Sequence, residues 1–536
     1  MRRLTFLLLS FCFLLGTAIA QNNRTISGTV KNEQGAPVSN ASVVVKGTTI
    51  GTNTNDKGEF SLSVPSSAKR LVISSLNFES TEVAIGSAPI GVTLVASAGD
   101  LGEVVVSVPY GTIKKTAFTG SAGTVTAATI SKQQVTSVTR VLEGLIPGVQ
   151  ATNGGGAPGS GAAIRLRGIG SVNASSAPLY VVNGVPYDGS ISAINSDEIE
   201  SVDVLKDAAA TNLYGSRAAN GVIMITTKKG KKGAAAITGS VRHSFQTRGI
   251  PEYDRVNSGE YYELFWEAYR NSYVYGSGQT FAAAGVNASN VLTGTSGLVY
   301  NAYNVPGNQL VNSTTGKLNP NAQLLWDESW ADALFRNAQR TNASINISGA
   351  TDKMDYFVSG GYLNEEGIAK FSGYQRYNFR TTVNVQATEW LKAGINFDGS
   401  SDKRDGLFAG GTATSNPFYY SRQMGPIYPV YQKNTTTGAN ILDANGQPVL
   451  DFGIPTQMGS RPYAANSNLL GSLALDVRGQ KRFNGNINPY VEVKFLKDFS
   501  FKTTLGLNYF EVDQLTYQNS QYGDAVNVSG RATQTF

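Results

Sequence analysis

Along the C-terminal half of the chain, apolar and polar residues alternate with a period of two. Phe499, Phe501, Thr503, Leu505, Leu507 and Tyr509 fall on one side of an extended chain, and Ser500, Lys502, Thr504, Gly506 and Asn508 on the other. Leu391, Ala393, Ile395 and Phe397 alternate in the same way with Lys392, Gly394, Asn396 and Asp398. Such alternation predicts strands with one apolar and one polar face. It places strands near 236–247, 341–350, 354–363, 377–387, 391–402, 482–496 and 499–511, about seven in all. The connections then alternate in length: long over 248–340, tight at 351–353, longer over 364–376, tight at 388–390, very long over 403–481 and tight at 497–498.

Period alone does not separate a soluble sandwich from a membrane barrel, but loop sorting does. Outer-membrane barrels carry short turns at one end and longer loops at the other. Tyr356, Tyr362, Tyr377, Trp390, Tyr490, Phe495 and Tyr509 lie near strand ends, where aromatic belts mark the two membrane interfaces. The segment is therefore expected to face lipid outside and water or protein inside. So few strands cannot enclose a separate globule, since plugged barrels use about 22, and open edges are not tolerated in lipid. On that count the native protein is expected to continue past Phe536.

Upstream the pattern changes twice. Residues 24–94 read as about seven short strands with turns at Asn32–Gly35 and Asn55–Gly58, the signature of a small β-sandwich. Phe60, Leu62 and Val64 alternate with Glu59, Ser61 and Ser63, while Val43 and Val45 flank Val44. A small-residue linker then gives way to Glu103, Val104, Val105, Val106, Ser107 and Val108, stopped by Pro109. This run is either a last sandwich strand or a strand that adds to another protein's sheet edge. Residues 116–232 mix short elements: a helix over 141–149, strands at 164–168, 179–186, 199–205 and 221–227, and a helix capped by Asp207 running to Tyr214.

Composition narrows the function classes. Arg2 and Arg3, the apolar run Leu4 to Leu15 and Ala18-Ile19-Ala20 read as a secretory signal peptide over 1–20. The run is too short to span a bilayer, which takes roughly 20 apolar residues. Cys12 is the one cysteine, so a processed chain would have neither disulfides nor thiol chemistry. The formal charge of +6 is small for this length, and with export it argues against nucleic acid. The dense cluster Lys228, Lys229, Lys231 and Lys232 is expected to be a solvated linker. His243, the sole histidine, has no nucleophile elbow or zinc motif around it and is expected on a barrel wall. Gly154-Gly155-Gly156 lacks the lysine of a phosphate-binding loop. No enzyme activity, metal or cofactor is expected. Tyr261, Tyr262, Leu264, Phe265, Ala268 and Tyr269 sit at helical spacing and are expected to form a loop core, while Trp326 and Trp330 are candidate substrate contacts by ring stacking.

Several blocks resemble known families. Ile26-Ser27-Gly28-Thr29-Val30 and Asp56-Lys57-Gly58-Glu59-Phe60 resemble the carboxypeptidase-D regulatory-like domain, a fold without peptidase residues here. The valine run followed by Tyr110-Gly111-Thr112-Ile113-Lys114-Lys115 resembles the TonB box of SusC/RagA-type TonB-dependent importers, with Pro109 where that family usually has glycine. Arg165, Arg167 and Gly168, then Asn183 and Gly184, then Lys206 and Asp207 leading to Tyr214, Gly215, Arg217, Asn220 and Gly221, resemble that family's plug domain. The three arginines are expected to hold carboxylates on the wall or within the plug.

The resemblance implies a mainly β chain divided as signal peptide 1–20, regulatory-like sandwich 21–96, linker with TonB box 97–115, mixed α/β plug 116–232, and first part of a transmembrane antiparallel barrel 233–536. It implies import of oligosaccharides or peptides across the outer membrane of a Gram-negative bacterium. Its partners would be TonB with its inner-membrane energising complex, a SusD-like surface lipoprotein, and outer-membrane lipid. A TonB-dependent receptor for siderophore or cobalamin is the near alternative, and a surface adhesin the alternative of another class.

Overall fold

The computed structural model describes residues 23–536 except 33–34, 76–77, 79, 87–88, 96–104, 109–110, 115–120, 134, 136, 153, 155, 172, 174, 208–211, 250, 407–413 and 497–498. The leader expected over 1–20, and Glu103 and Val104, lie outside the described residues. The chain separates into two compact units, one holding residues up to 106 with 112–118, the other holding 107–111 and everything from 119 onward.

The first unit is the expected sandwich. Asn23–Asn32 runs between Glu59–Pro65 and Ile90–Leu94, and a second sheet orders Gly51–Asn53, Ser42–Val45, Arg70–Ser74 and Thr81–Ala84. Alternation does the folding: Phe60, Leu62 and Val64 point into one core with Val43, Val45, Leu71 and Ile73, while their neighbours stay wet. The turn at Asn55–Gly58 is held by the Asn55 side chain, whose Oδ1 accepts from the Lys57 and Glu59 amides at 3.0 and 2.9 Å. Gly58 closes it at φ +73°, where a Cβ would stand 2.4 Å from the Val30 carbonyl oxygen. Val105–Val108 pairs with Gly111–Lys114 as a two-stranded sheet.

The plug-like globule of the second unit centres on a five-stranded sheet ordered Ala122–Thr126, Ile199–Leu205, Val222–Thr227, Leu179–Val182 and Val185–Pro186. One expected helix differs: it lies at Val138–Val141, ahead of a run of turns in which Gly144 and Gly148 take positive φ. Of the helix expected from Asp207 to Tyr214, residues 208–211 lie outside the described residues; Asn212–Ala218 that follows is a 3-10 segment broken at Gly215 (φ 61°, ψ −149°), a conformation that only glycine adopts freely.

The remaining sheet runs in chain order through Gly233–Gln246, Ala338–Ala350, Met354–Glu366, Gly373–Gln386, Leu391–Asp405, Val477–Phe495, Leu507–Gln518 and Arg531–Thr535, every neighbour antiparallel. Phe499–Thr504 pairs with the same strand as Leu507–Gln518. The strand expected over 499–511 is thus interrupted at Leu505 and Gly506, opposite Pro489, which has no N–H for the ladder and only accepts from Leu505 N at 3.0 Å. Arg531–Thr535 extends the expected set.

This sheet is inside-out. Ile237 lies opposite Ile347, Ile347 opposite Val358, Val383 opposite Ile395, Phe397 opposite Ile487, and Ile487 opposite Leu507, so cross-strand apolar rows share one face. That face is open: Val241 is 76% exposed and Phe501 60%. The other face carries Arg376, Arg380, Thr382, Asp402, Arg482, Asn484 and Asn486, of which Arg380 is 1% exposed and Asn486 3%. Water does not select such an arrangement, whereas lipid outside and polar protein inside does. Among the described residues no helix is long and apolar enough to cross a membrane.

The two long connections, 247–337 and 406–476, fold onto each other around one aromatic core. The helix Ser258–Asn271 begins with a capping box between Asn257 and Glu260 and buries Tyr262 and Trp266. Tyr300 from the first connection donates to Asp451 Oδ2 of the second at 2.8 Å. Burial holds the Tyr300 phenol above its ordinary range, with Asp451 adding to the effect, so it remains a donor.

Candidate functional site

The geometry that stands out is a polar seam between the globule and the inner face of the sheet. It begins with local sequence. Two 3-10 turns, Ile191–Ala193 and Ser196–Glu198, follow one another, and the Asn195 side chain accepts from the Asp197 amide at 3.1 Å to start the second. Short turns leave carbonyls without partners inside the segment. Arg376 takes two of them, donating to the Ser192 and Ile194 oxygens at 2.6 and 3.4 Å.

The same turns aim Asp197 and Glu198 at the wall. Asp197 pairs with Arg242. Glu198 accepts from Ser359 Oγ at 2.9 Å and Asn378 Nδ2 at 2.5 Å, with the guanidinium groups of Arg380 and Arg376 close enough to act on its charge. Burial nevertheless pushes the Glu198 carboxyl above its usual range, against the opposing pull of Arg380, Ser359 and Arg376. Beside it, Arg482 bridges both bodies: it holds Asp402 of the wall at 2.8 Å and donates to Ser190 and Ser192 of the globule at 2.8 and 3.2 Å. At one end of the seam Arg404 donates to the Gly159 oxygen, and Tyr374 fills the space where a Gly159 Cβ would be, 2.2 Å from its Cδ2.

The residues singled out in the plug blocks do something else. Arg167 pairs with Asp207 and Arg217 with Asp188, both within the globule. Asp207 also accepts from the Ser121 amide, and these two bonds, the amide first, hold its carboxyl below the ordinary range. Lys206 donates to the Pro147 oxygen at 2.8 Å. Asn183 and Gly184, at φ 51° and 87°, make the two-residue hairpin between Val182 and Val185. Asn183 Oδ1 further accepts from the Thr227 amide at 3.1 Å. Asn220 donates to the Ser175 oxygen at 2.7 Å, and a Cβ on Gly221 would meet Leu166 at 2.5 Å. Gly168 lies at φ 103°, Tyr214 and Gly215 lie in the broken 3-10 segment, and Arg165 lies in the strand Ala163–Leu166 opposite Gln150. These residues shape turns and internal ties; the wall is met chiefly by 190–198, with Gly159 and Pro186 adding contacts outside that stretch.

Trp326 and Trp330 are 4% and 2% exposed, and their indole N–H groups donate to the Ile427 and Tyr428 oxygens at 3.0 and 2.8 Å. Both rings are absorbed into the core that joins the two long connections, and Trp326 also lines a cavity of about 390 Å³. The lysine cluster is not wholly a solvated linker: Lys228 donates to the Asp197 oxygen at 2.7 Å, and Gly230 runs where a Cβ would stand 2.1 Å from the Gly349 oxygen. His243 lies on the open face of the first wall strand, its Nδ1 2.9 Å from Thr341 Oγ1.

Sequence reasoning missed Asp197, Glu198, Arg376, Arg380 and Arg482. A signal was present: in 373–386 the inward positions of an alternating strand carry Arg376, Asn378 and Arg380, more charge than a merely wetted lumen needs.

Comparison with known proteins agrees with this architecture. Residues 114–222 match the TonB-dependent receptor plug domain, and residues 26–106 the CarboxypepD_reg-like domain. The chain is 32% identical over 549 residues to the TonB-dependent receptor SusC of Bacteroides thetaiotaomicron, covering 98% of this chain and 48% of that one. It is 30% identical over 544 residues to the TonB-dependent receptor P39 of Formosa agariphila, covering 99% and 45%. Among solved structures, the RagAB peptide importer in its open-open state superposes with a TM-score of 0.57 at 25% identity, over 77% of this chain and 43% of that one. The chain is thus a TonB-dependent receptor sequence, with a plug domain held against the polar face of an inside-out sheet. Within that class it belongs to the SusC/RagA type, which the regulatory-like domain and these relatives mark. It spans under half the length of the curated relatives it matches.

Proposed function

We propose that this chain serves TonB-dependent import of oligosaccharides or peptides across the outer membrane of a Gram-negative bacterium, together with a SusD-like surface lipoprotein. One observation carries the reading: an apolar-outside sheet grips a separate globule through hydrogen bonds and ion pairs rather than an oily core. Such bonds exchange for water at a net cost of about 0.5–1.5 kcal/mol each, so the globule is held firmly yet can be drawn away step by step. We keep the divisions at 20, 96, 115 and 232. A membrane wall needs both edge strands paired, so we assign this sheet to a larger closed wall.

In this reading residues 103–108 are the TonB box and TonB adds a strand there. A pull passes along the linker to Ser121, whose amide is tied to Asp207 and, through it, to Arg167. It then loads Ala122–Thr126, the edge strand paired with Ile199–Leu205, which continues directly from Glu198. The plug-block residues thus anchor the line of force, and the seam is what yields. The test is uptake of labelled maltohexaose and a labelled tetrapeptide by energised cells. Uptake of at least one, abolished by deleting 103–108 and by a protonophore, is expected. Uptake indifferent to both treatments would overturn the proposal.

A further inference from the structure

At the rim of the wall, beside the helix Leu469–Leu475, lies a cavity of about 480 Å³ that shares Leu473 with the aromatic core. Its lining carries both signs of charge: Arg336 and Arg478 face it together with Glu365, Glu366, Asp405 and Asp476. These groups are not all matched internally. Arg478 reaches Asp476 Oδ2 with one nitrogen at 3.4 Å, while its Nε is buried without a hydrogen-bond partner. Glu366 Oε1 stands 4.0 Å from Arg336, beyond hydrogen-bond reach, while its Oε2 accepts from the Gln339 amide at 3.3 Å. A buried guanidinium N–H without a partner is costly, and the Arg478 side chain as a whole keeps 12% of its surface exposed on the cavity it lines.

A second observation is independent of charge. Phe371 sits at φ 62°, and the residue is 44% exposed on the cavity lining. A bulky side chain is rare in the left-handed region and persists only where surroundings impose it. Here they do: Gly367 N donates to Ser372 O at 2.9 Å, Ser372 Oγ to Ala369 O at 2.6 Å, and Arg336 to the Gly367 and Ser372 oxygens, both at 3.1 Å. The turn is clamped so as to present an aromatic ring beside charged groups.

We propose that this cavity binds a short zwitterionic peptide, its carboxylate toward Arg478, its ammonium toward Glu366, and an apolar side chain against Phe371 and Leu473. The proposal rests on the import reading and narrows its substrate class. A neutral glycan would bring no charge to either set and would leave the carboxylates and guanidinium groups desolvated without exchange. The cavity also touches the plug: Glu365 accepts from the Gly159 amide at 3.4 Å, so occupancy bears on a residue that holds the plug's outer loop.

The test is calorimetric titration of the detergent-extracted protein with Ala-Leu-Phe, its N-acetyl form, its C-amide and maltohexaose. The free tripeptide is expected to bind. Either blocked form is expected to bind about tenfold more weakly, the weight of one charge-assisted contact. Arg478→Gln should weaken the free tripeptide by about the same factor while leaving the C-amide unchanged, since both changes remove one contact. Arg478→Lys, which keeps the charge, should retain part of the binding and controls for folding. No binding of the free tripeptide, equal binding of the blocked forms, or indifference to Arg478→Gln would overturn the proposal. The uptake assay separates the two levels: maltohexaose uptake with no peptide uptake sinks the peptide assignment and keeps import, whereas peptide binding without uptake of either probe sinks import alone.

Discussion

The plug seam and the outer loop core join distant parts of the chain with opposite materials. In the loop core Trp266, Trp330, Tyr262, Tyr300 and Tyr428 exclude water and place each polar tip on a fixed acceptor or donor. In the seam, Glu198, Arg376, Arg380 and Arg482 meet across a surface with little apolar content. A dry aromatic core resists separation because all its contacts are lost together. A polar seam can part contact by contact, each group passing from a protein partner to water. One region is built to stay shut and the other to open.

That contrast can be broken by substitution. Trp330→Ala should have the largest effect, about 3–5 kcal/mol for the lost ring, with the Tyr428 carbonyl also orphaned; limited proteolysis would find 247–337 and 406–476 cut while the wall strands stay protected. Glu198→Ala leaves Arg380 and Arg376 facing an uncompensated gap and should loosen the plug by about 3–5 kcal/mol, read as faster hydrogen exchange across 190–205 with the loop core unchanged. Tyr300→Phe removes the donor to the buried Asp451 and should cost about 1–3 kcal/mol, confined to the loop core. If Trp330→Ala loosened the seam as much as Glu198→Ala does, the two regions would be one cooperative unit and the contrast would fail.

A gentler probe is pH. The Glu198 carboxyl titrates above its ordinary 4.5 in the folded protein because it is buried. The folded state therefore binds the proton at a pH where the unfolded chain has released it. Stability of the seam should rise as pH falls through the raised value, and this gain should level off once pH reaches the unfolded value near 4.5. Exchange rates at 190–198 measured against pH should show that slope in the parent and lose it in Glu198→Gln. Smallest of all, Arg217→Ala opens a pair that is 54% and 64% exposed and should leave plug stability within experimental scatter; a large loss would mean that the pair carries load.

How much of this was readable beforehand follows from the range of each interaction. Strand alternation is local, so Phe499 to Tyr509 and Leu391 to Phe397 disclosed their faces, and loop lengths disclosed the sorting of the ends. The Asn183-Gly184 hairpin was equally local. The pairing of Arg376 with the Ser192 carbonyl spans 184 positions, and no period or motif fixes such a partner. Trp326 and Trp330 show the same limit: their spacing was visible, but the second long connection that covers them was not. The interruption at Leu505 arises across the sheet, at Pro489, where reading along one strand does not look.

The most direct test of the central claim, that this sheet turns its apolar face to lipid and its charged face to the plug, is a single-cysteine scan along Val477–Phe495 in a background where Cys12 is absent. Lipid-soluble quenchers should reach labels at 483, 487 and 491, and the same labels at 482, 484 and 486 should respond only when the plug is loosened by Glu198→Ala. Equal quenching at both sets, or labels at 483, 487 and 491 shielded in a detergent-free soluble protein, would contradict it.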